Sequence, residues 1–177
     1  MIRHDTLKTF LRDSVIFSLF GSVMFGSKLL MEILPNVHLL GMFIMMLTLV
    51  YRTRALIPIY MYVFLAVLFY GFAYWWIPYL YIWTILWGIT MLLPKQLSKS
   101  TAMIVYPLVC GLHGLSFGIL YAPVQALIYG FTLQGTISWI VMGFPFDVMH
   151  GISNVVMGTM VLPLSTVLKR LNAGKFR

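Results

Sequence analysis

The sequence predicts an all-α integral membrane protein with six transmembrane helices, a re-entrant or interfacial segment between the fifth and sixth, and both termini in the cytoplasm. Three observations carry this. Of 177 residues, 61% are apolar and only 9% are charged, whereas soluble domains run near half apolar and about a quarter charged. Apolar runs recur along the chain at lengths that suit the hydrocarbon core, about 20 residues each. The cations gather in the stretches on one side of those runs, as the positive-inside rule requires. Six spans use most of the length, so a single domain, 1–177, is expected, with the energy source for any work on another chain. The net charge of +8 is then a matter of topology and not of nucleic-acid binding.

Helix 1 is predicted from Ser14 to about Leu34, after Arg3, Lys8 and Arg12. Its apolar part is longer than a signal-peptide core and no small-residue cleavage site follows, so it is read as a retained span. Pro35 and Asn36 break the pattern, and a shorter run, about Val37 to Tyr51, ends at Arg52 and Arg54. Helix 3 runs from about Ala55 to Trp75, and a turn through Ile77 and Pro78 leads to helix 4, about Tyr79 to Leu93. Helix 5 is predicted from Thr101 to Tyr121, and the last span from Val148 to Leu168 before a basic tail.

The stretch from Ala122 to Met142 is apolar enough to cross, yet Pro123, Gly130, Gln134 and Gly135 interrupt it. With six spans and the N-terminus inside, eleven of the 12 Lys and Arg fall on the inner side and only Lys28 lies toward the outside. A seventh span would carry the tail cations outward, so this stretch is read as the re-entrant or interfacial segment on the outer side.

Ionisable groups inside a bilayer mark function by default. Here they converge near the outer face: Lys28 and Glu32 at i, i+4 on helix 1, Asn36 and His38 after it, and Asp147, His150 and Asn154 on one face of the last span. Trp75, Trp76, Tyr79 and Trp83 thicken the same level. Such a wall can stack on a flat ligand, or it can be the ordinary aromatic belt of the membrane interface. Lys28 with Glu32, and Asp147 with His150, can equally be ion pairs that satisfy each other. His113, among Gly111, Gly114 and Gly118, reads as a hydrogen-bonded core residue where helices approach closely, and Cys110 as packing. Asp147, His150 and Ser153 lie within seven residues of one helix, a poor arrangement for nucleophile, base and orienter, so catalysis is not expected. No spacing suggests a metal site or a cofactor.

On helix 1, Ser14, Ser18, Ser22 and Gly26 recur every four residues. That strip of small side chains lets another helix lie close, either within the chain or on a partner.

The run Glu32-Ile-Leu-Pro35-Asn36-Val-His38, the segment from Tyr70 through Trp75, Trp76 and Tyr79 to Trp83, and the run Gly143-Phe-Pro145-Phe-Asp147-Val-Met-His150-Gly-Ile-Ser-Asn154 resemble the substrate-binding S components of energy-coupling factor (ECF) transporters, over roughly Ser14 to Pro163. The resemblance implies a six-helix binding subunit that captures a vitamin or related micronutrient at the outer face. It also implies partners: a transmembrane coupling subunit and two ATP-binding-cassette ATPases. The family docks through an Ala-x-x-x-Ala motif on helix 1, and Ser18 and Ser22 stand at the matching positions, with Ser14 and Ser18 as an alternative register. By general likeness the subtype is the one associated with cobalamin or cobinamide. Hydroxymethylpyrimidine, a queuosine precursor or another small heterocycle would suit a similar wall, and an integral-membrane enzyme using Asp147 and His150 is the competing class.

Overall fold

The computed structural model describes residues 2–34 and 37–174, with side chains from Lys8 onward. The described residues are almost entirely helical: α1 (Ile2–Leu30), α2 (Leu40–Tyr51), α3 (Leu56–Tyr70), α4 (Tyr79–Leu92), α5 (Lys99–Leu115), α6 (Phe117–Tyr129), α7 (Leu133–Gly158) and α8 (Val161–Gly174). Short 3₁₀ turns occupy Arg52–Ala55 and Tyr74–Trp76. Five helical stretches are long and apolar enough to cross a membrane: Lys8–Leu30, Leu40–Tyr70, Tyr74–Leu92, Lys99–Tyr129 and Leu133–Gly158. Their outward faces carry Val15, Leu19, Phe64, Leu68, Ile104, Leu108, Ile152 and Val156 in the open, which suits a chain whose solvent is lipid.

The second stretch doubles back. The indole of Trp83 lies 6.0 Å from the ring of His38, just before α2, and 6.3 Å from that of Tyr62 in α3. One straight helix would hold those two residues about 36 Å apart. The reversal sits at Arg52, whose φ of 56° ends α2. It is pinned from α4: the Arg52 guanidinium donates to the Met91 carbonyl at 2.9 Å, and the Trp87 indole N–H donates to the Arg52 carbonyl at 3.1 Å. It is pinned from α1 as well, because Arg54 reaches the Asp13 carboxylate at 2.6 Å and Arg12 holds the other oxygen of Asp13 at 2.8 Å. These contacts define a basic end of the bundle. At the opposite, aromatic end lie Lys28, Tyr70, Trp75 and Tyr79.

The most intimate helix pair is α5 with α7, and α6 continues the packing along α7. Contacts run in antiparallel order, Tyr121 with Trp139, Gly118 with Asp147, Gly114 with His150, Gly111 with Gly151 and Pro107 with Gly158. Glycines line this seam because nothing larger fits. A Cβ on Gly158 would stand 2.7 Å from the Pro107 Cα, and one on Gly151 would stand 3.3 Å from the Gly111 carbonyl oxygen. Small residues play this part in membranes, where helix association rests on packing. The expected close approach at Gly111, Gly114 and Gly118 is thus present.

Two expectations are corrected. Residues 122–142 are not a separate segment: they are the end of α6, a turn, and the first part of α7, which runs unbroken from Leu133 to Gly158. Gly130, at φ +67°, caps α6 in the left-handed region that suits glycine. The Thr132 side chain then accepts the Gly135 N–H at 3.1 Å as the N-cap of α7. The last helix also breaks after Gly158, so the predicted span from Val148 to Leu168 is divided between α7 and α8.

Gly114→Ala is expected to destabilise the protein by about 1–3 kcal/mol, because its Cβ would stand 2.8 Å from the His150 carbonyl oxygen, a backbone atom. Gly88→Ala, whose Cβ meets nothing within 4 Å, should be neutral or stabilising by up to about 1 kcal/mol. Thermal unfolding in detergent reads both, and equal midpoints would show that the seam accommodates a methyl group.

Candidate functional site

The chain leaves α1 at the aromatic end and drops His38 back into the bundle beside α7. The His38 ring meets that of His150 edge to face, with centroids 4.2 Å apart, and Phe117 closes on His150 at 4.8 Å. Above them is a cavity of about 240 Å³ lined by Lys28, Glu32, His38, Tyr79, Phe117 and His150, with aliphatic groups from Met31, Leu34 and Val37. His38 Nδ1 and His150 Nε2 are enclosed and have no hydrogen-bond partner within the protein. Burial first, then the nearby His113 and Lys28, push the His38 imidazole from its usual 6.5 down to about 4. At neutral pH its ring therefore carries one N–H donor and one acceptor nitrogen.

Lys28 and Glu32 meet through a third residue that the sequence reading did not single out. The Lys28 ammonium donates to the Tyr70 hydroxyl at 3.0 Å, and that hydroxyl donates to the Glu32 carboxylate at 3.2 and 3.3 Å. The same ammonium lies 4.1 Å from the Tyr70 ring centroid. In place of a direct i, i+4 ion pair, this bridge holds both charged groups at the cavity rim.

Trp83 is the hub beneath the cavity. Only 1% exposed, its ring touches those of His38, Tyr62, Tyr79, His113 and Phe117. It supports the lining without forming part of it, and its indole N–H is itself unpartnered. Tyr79 lines the cavity. Trp75 packs on Tyr70 and Tyr79, and its carbonyl takes the Tyr121 hydroxyl at 2.7 Å. Trp76 turns away to pack on Phe72. Asn36 lies outside the described residues.

The face Asp147, His150, Asn154 does not act as one. His150 lines the cavity, while Asn154 is fully buried in the glycine seam, between Gly41 and Gly114, with both side-chain polar atoms unpartnered. Asp147 turns to α6, where its Oδ1 accepts the Gly118 N–H at 3.0 Å, and it lines a different cavity with Phe117, Tyr121 and Trp139. The alternative of an Asp147–His150 ion pair is not found among the described salt bridges. His113 is the core residue expected: buried, with Nε2 3.0 Å from the Ile82 carbonyl.

Phe117 and Tyr70 are the lining and rim residues that sequence reasoning missed. Phe117 continues the face of Gly114 by three residues, a spacing that could have placed it. On α1, Ser14 and Ser22 are exposed and Ser18 and Gly26 half-buried, while Phe17, Gly21 and Met24 face the bundle. The strip of small residues therefore looks outward, and a Cβ at Gly26 would meet nothing within 4 Å. A larger cavity of about 770 Å³ lies at the basic end, between Leu97, Lys99 and Met103 on one side and Leu162, Thr166 and Arg170 on the other.

No described group of His, Cys, Asp and Glu could hold a metal ion. The chain matches no protein-family profile, no curated protein and no solved structure.

Proposed function

We propose that this chain is the substrate-specific binding subunit of an ECF-type importer, crossing the membrane six times and capturing a small micronutrient at its outer face. The supporting observation is the cavity at the aromatic end, lined by His38 and His150, each of which carries a buried imidazole nitrogen, His38 Nδ1 and His150 Nε2, without a hydrogen-bond partner in the protein. A buried polar atom left unpaired costs about 1–3 kcal/mol, and a ligand that bonds to it recovers that cost. In this reading α1, α2, α3 and α4 are four passes, α5 with α6 a fifth and α7 with α8 a sixth. The basic end, with Arg52, Arg54, Lys99 and Arg170, is cytoplasmic.

Size guides the choice of cargo. Pockets for drug-sized ligands measure about 300–1,000 Å³, so a cavity of about 240 Å³ suits a heterocycle of one or two rings, such as hydroxymethylpyrimidine or a queuosine precursor, better than cobalamin or cobinamide. The neutral His38 ring and the His150 edge would read donors and acceptors on the heterocycle, Tyr79 and Phe117 would cover its faces, and Lys28 and Glu32 would meet a polar substituent. The enzyme reading loses support from the separation of Asp147 and His150 into different cavities. The outward strip at Ser14, Ser18, Ser22 and Gly26 would receive the coupling subunit, which in turn joins the two ATPases.

Binding is read on the purified chain by intrinsic tryptophan fluorescence and calorimetry, against a panel of vitamins and precursors that includes cobalamin, cobinamide and the small heterocycles. Saturable binding of one small heterocycle without turnover is expected. His38→Ala and His150→Ala should each weaken it by about tenfold or more with the helical signal retained. A folded protein that binds nothing on the panel, or that converts a ligand to product, would overturn the reading.

Docking has a separate readout. Ser18→Trp or Ser22→Trp should abolish uptake by cells carrying the coupling subunit and its ATPases while ligand binding persists, because the bulky ring blocks close helix approach. Normal uptake in both variants would remove this strip from the interface.

A further inference from the structure

Asp147 presents a second problem that the heterocycle cavity does not solve. Of the acidic side chains described, Asp13 is paired with Arg12 and Arg54, and Glu32 is exposed and bonded to Tyr70. Asp147 is only 6% exposed, within a span-length helix, and no described cation lies within ion-pair distance. One N–H, that of Gly118 at 3.0 Å, meets its Oδ1. A carboxylate can accept about four hydrogen bonds, and a charge in this position is costly unless something of opposite sign completes it.

The space beside it has the shape of an answer. A cavity of about 250 Å³ opens at Asp147 between α6 and α7, walled by Phe117, Tyr121, Trp139 and Phe146. The rings of Tyr121 and Trp139 stack at 6.2 Å with an interplanar angle of 21°, and Phe117 stands 5.8 Å from Tyr121. The Tyr121 wall is fixed, because its hydroxyl is bonded to the Trp75 carbonyl at 2.7 Å. Aromatic faces around a single carboxylate are the chemistry that holds a quaternary or alkylated ammonium group, through attraction to the ring faces and to the negative charge. Gly118 belongs to the same design, since a Cβ there would collide with the Asp147 carboxylate.

The geometry points to a site for a small organic cation, an ammonium group held between Asp147 and the aromatic walls of Phe117, Tyr121 and Trp139. It is distinct from the heterocycle cavity, from which it is divided by Phe117, a wall common to both. The ammonium can belong to a free solute or to a lipid headgroup, and recognition rests on the same chemistry in either case.

Calorimetry on the purified chain in an uncharged maltoside detergent tests this. The probes are choline, tetramethylammonium, dihexanoylphosphatidylcholine, and 3,3-dimethyl-1-butanol as the neutral isostere of choline. Saturable binding of a cationic probe without binding of the isostere is expected. Choline or tetramethylammonium binding would make the ligand a free solute, and binding of dihexanoylphosphatidylcholine alone would make it a headgroup. Asp147→Asn keeps the acceptor for the Gly118 N–H, so the fold should persist while affinity falls by about thirtyfold or more. Trp139→Ala should weaken binding several-fold, and Trp139→Phe should restore part of it. A folded chain that binds none of the cations, binds the isostere equally well, or binds them unchanged in Asp147→Asn would overturn the proposal. Heterocycle binding, measured on the same Asp147→Asn preparation, should be retained, so loss of the cation site and failure of the uptake reading remain distinguishable.

Discussion

The approach of α5 and α6 to α7 across a glycine seam is the constraint on which the rest of the molecule depends. Lipid tails are as apolar as leucine, so helices in a bilayer gain little from hiding apolar surface against one another, and contact must come from packing and polar satisfaction. Gly111 and Gly151 bring two backbones together, Gly114 lies under the His150 carbonyl, and Gly158 rests on Pro107. That spacing carries His150 to the His38 ring and Asp147 to the Gly118 N–H. Were the seam wider, neither cavity at the aromatic end would keep its walls.

Buried polar groups at the two ends of the bundle differ in how fully they are partnered. At the basic end polar groups find partners: Asp13 is held by Arg12 and Arg54, and Arg52 is tied to Met91 and Trp87. Those contacts close the reversal between α2 and α3 and read as architecture. At the aromatic end, His38 Nδ1, His150 Nε2 and the Trp83 indole N–H are enclosed without partners. An unpaired buried group is unfavourable in the free protein, and a molecule that bonds to it binds more tightly for that reason. The proposed binding site rests on these unpartnered groups more than on the aromatic content of that end.

Much of the helical framework was legible from residue order. The basic pair at Arg52 and Arg54, and Pro94 with Lys95, interrupt the apolar pattern where the structure leaves its helices. Across residues 122–142, Pro123, Gly130, Gln134 and Gly135 look like successive breaks. Only Gly130 to Thr132 is one; Pro123 sits inside α6, and Gln134 and Gly135 open α7 under the Thr132 cap. Charge bookkeeping along the loops constrains the number of crossings and says nothing of how far a helix hairpin extends beyond them.

Membrane character, the basic and aromatic poles, and the small residues that permit close approach all follow from composition and spacing, because they depend on how each residue partitions between water and lipid and on its volume. Which polar groups share a cavity does not follow. Asp147 and His150, three apart, project about 60° from one another around their helix, enough for Phe117 of α6 to stand between them. Lys28 and Glu32, ideally spaced for each other, were captured by Tyr70 from α3. Local spacing lists the partners a side chain can reach on its own helix, and the rotation and depth of the neighbouring helices select among them.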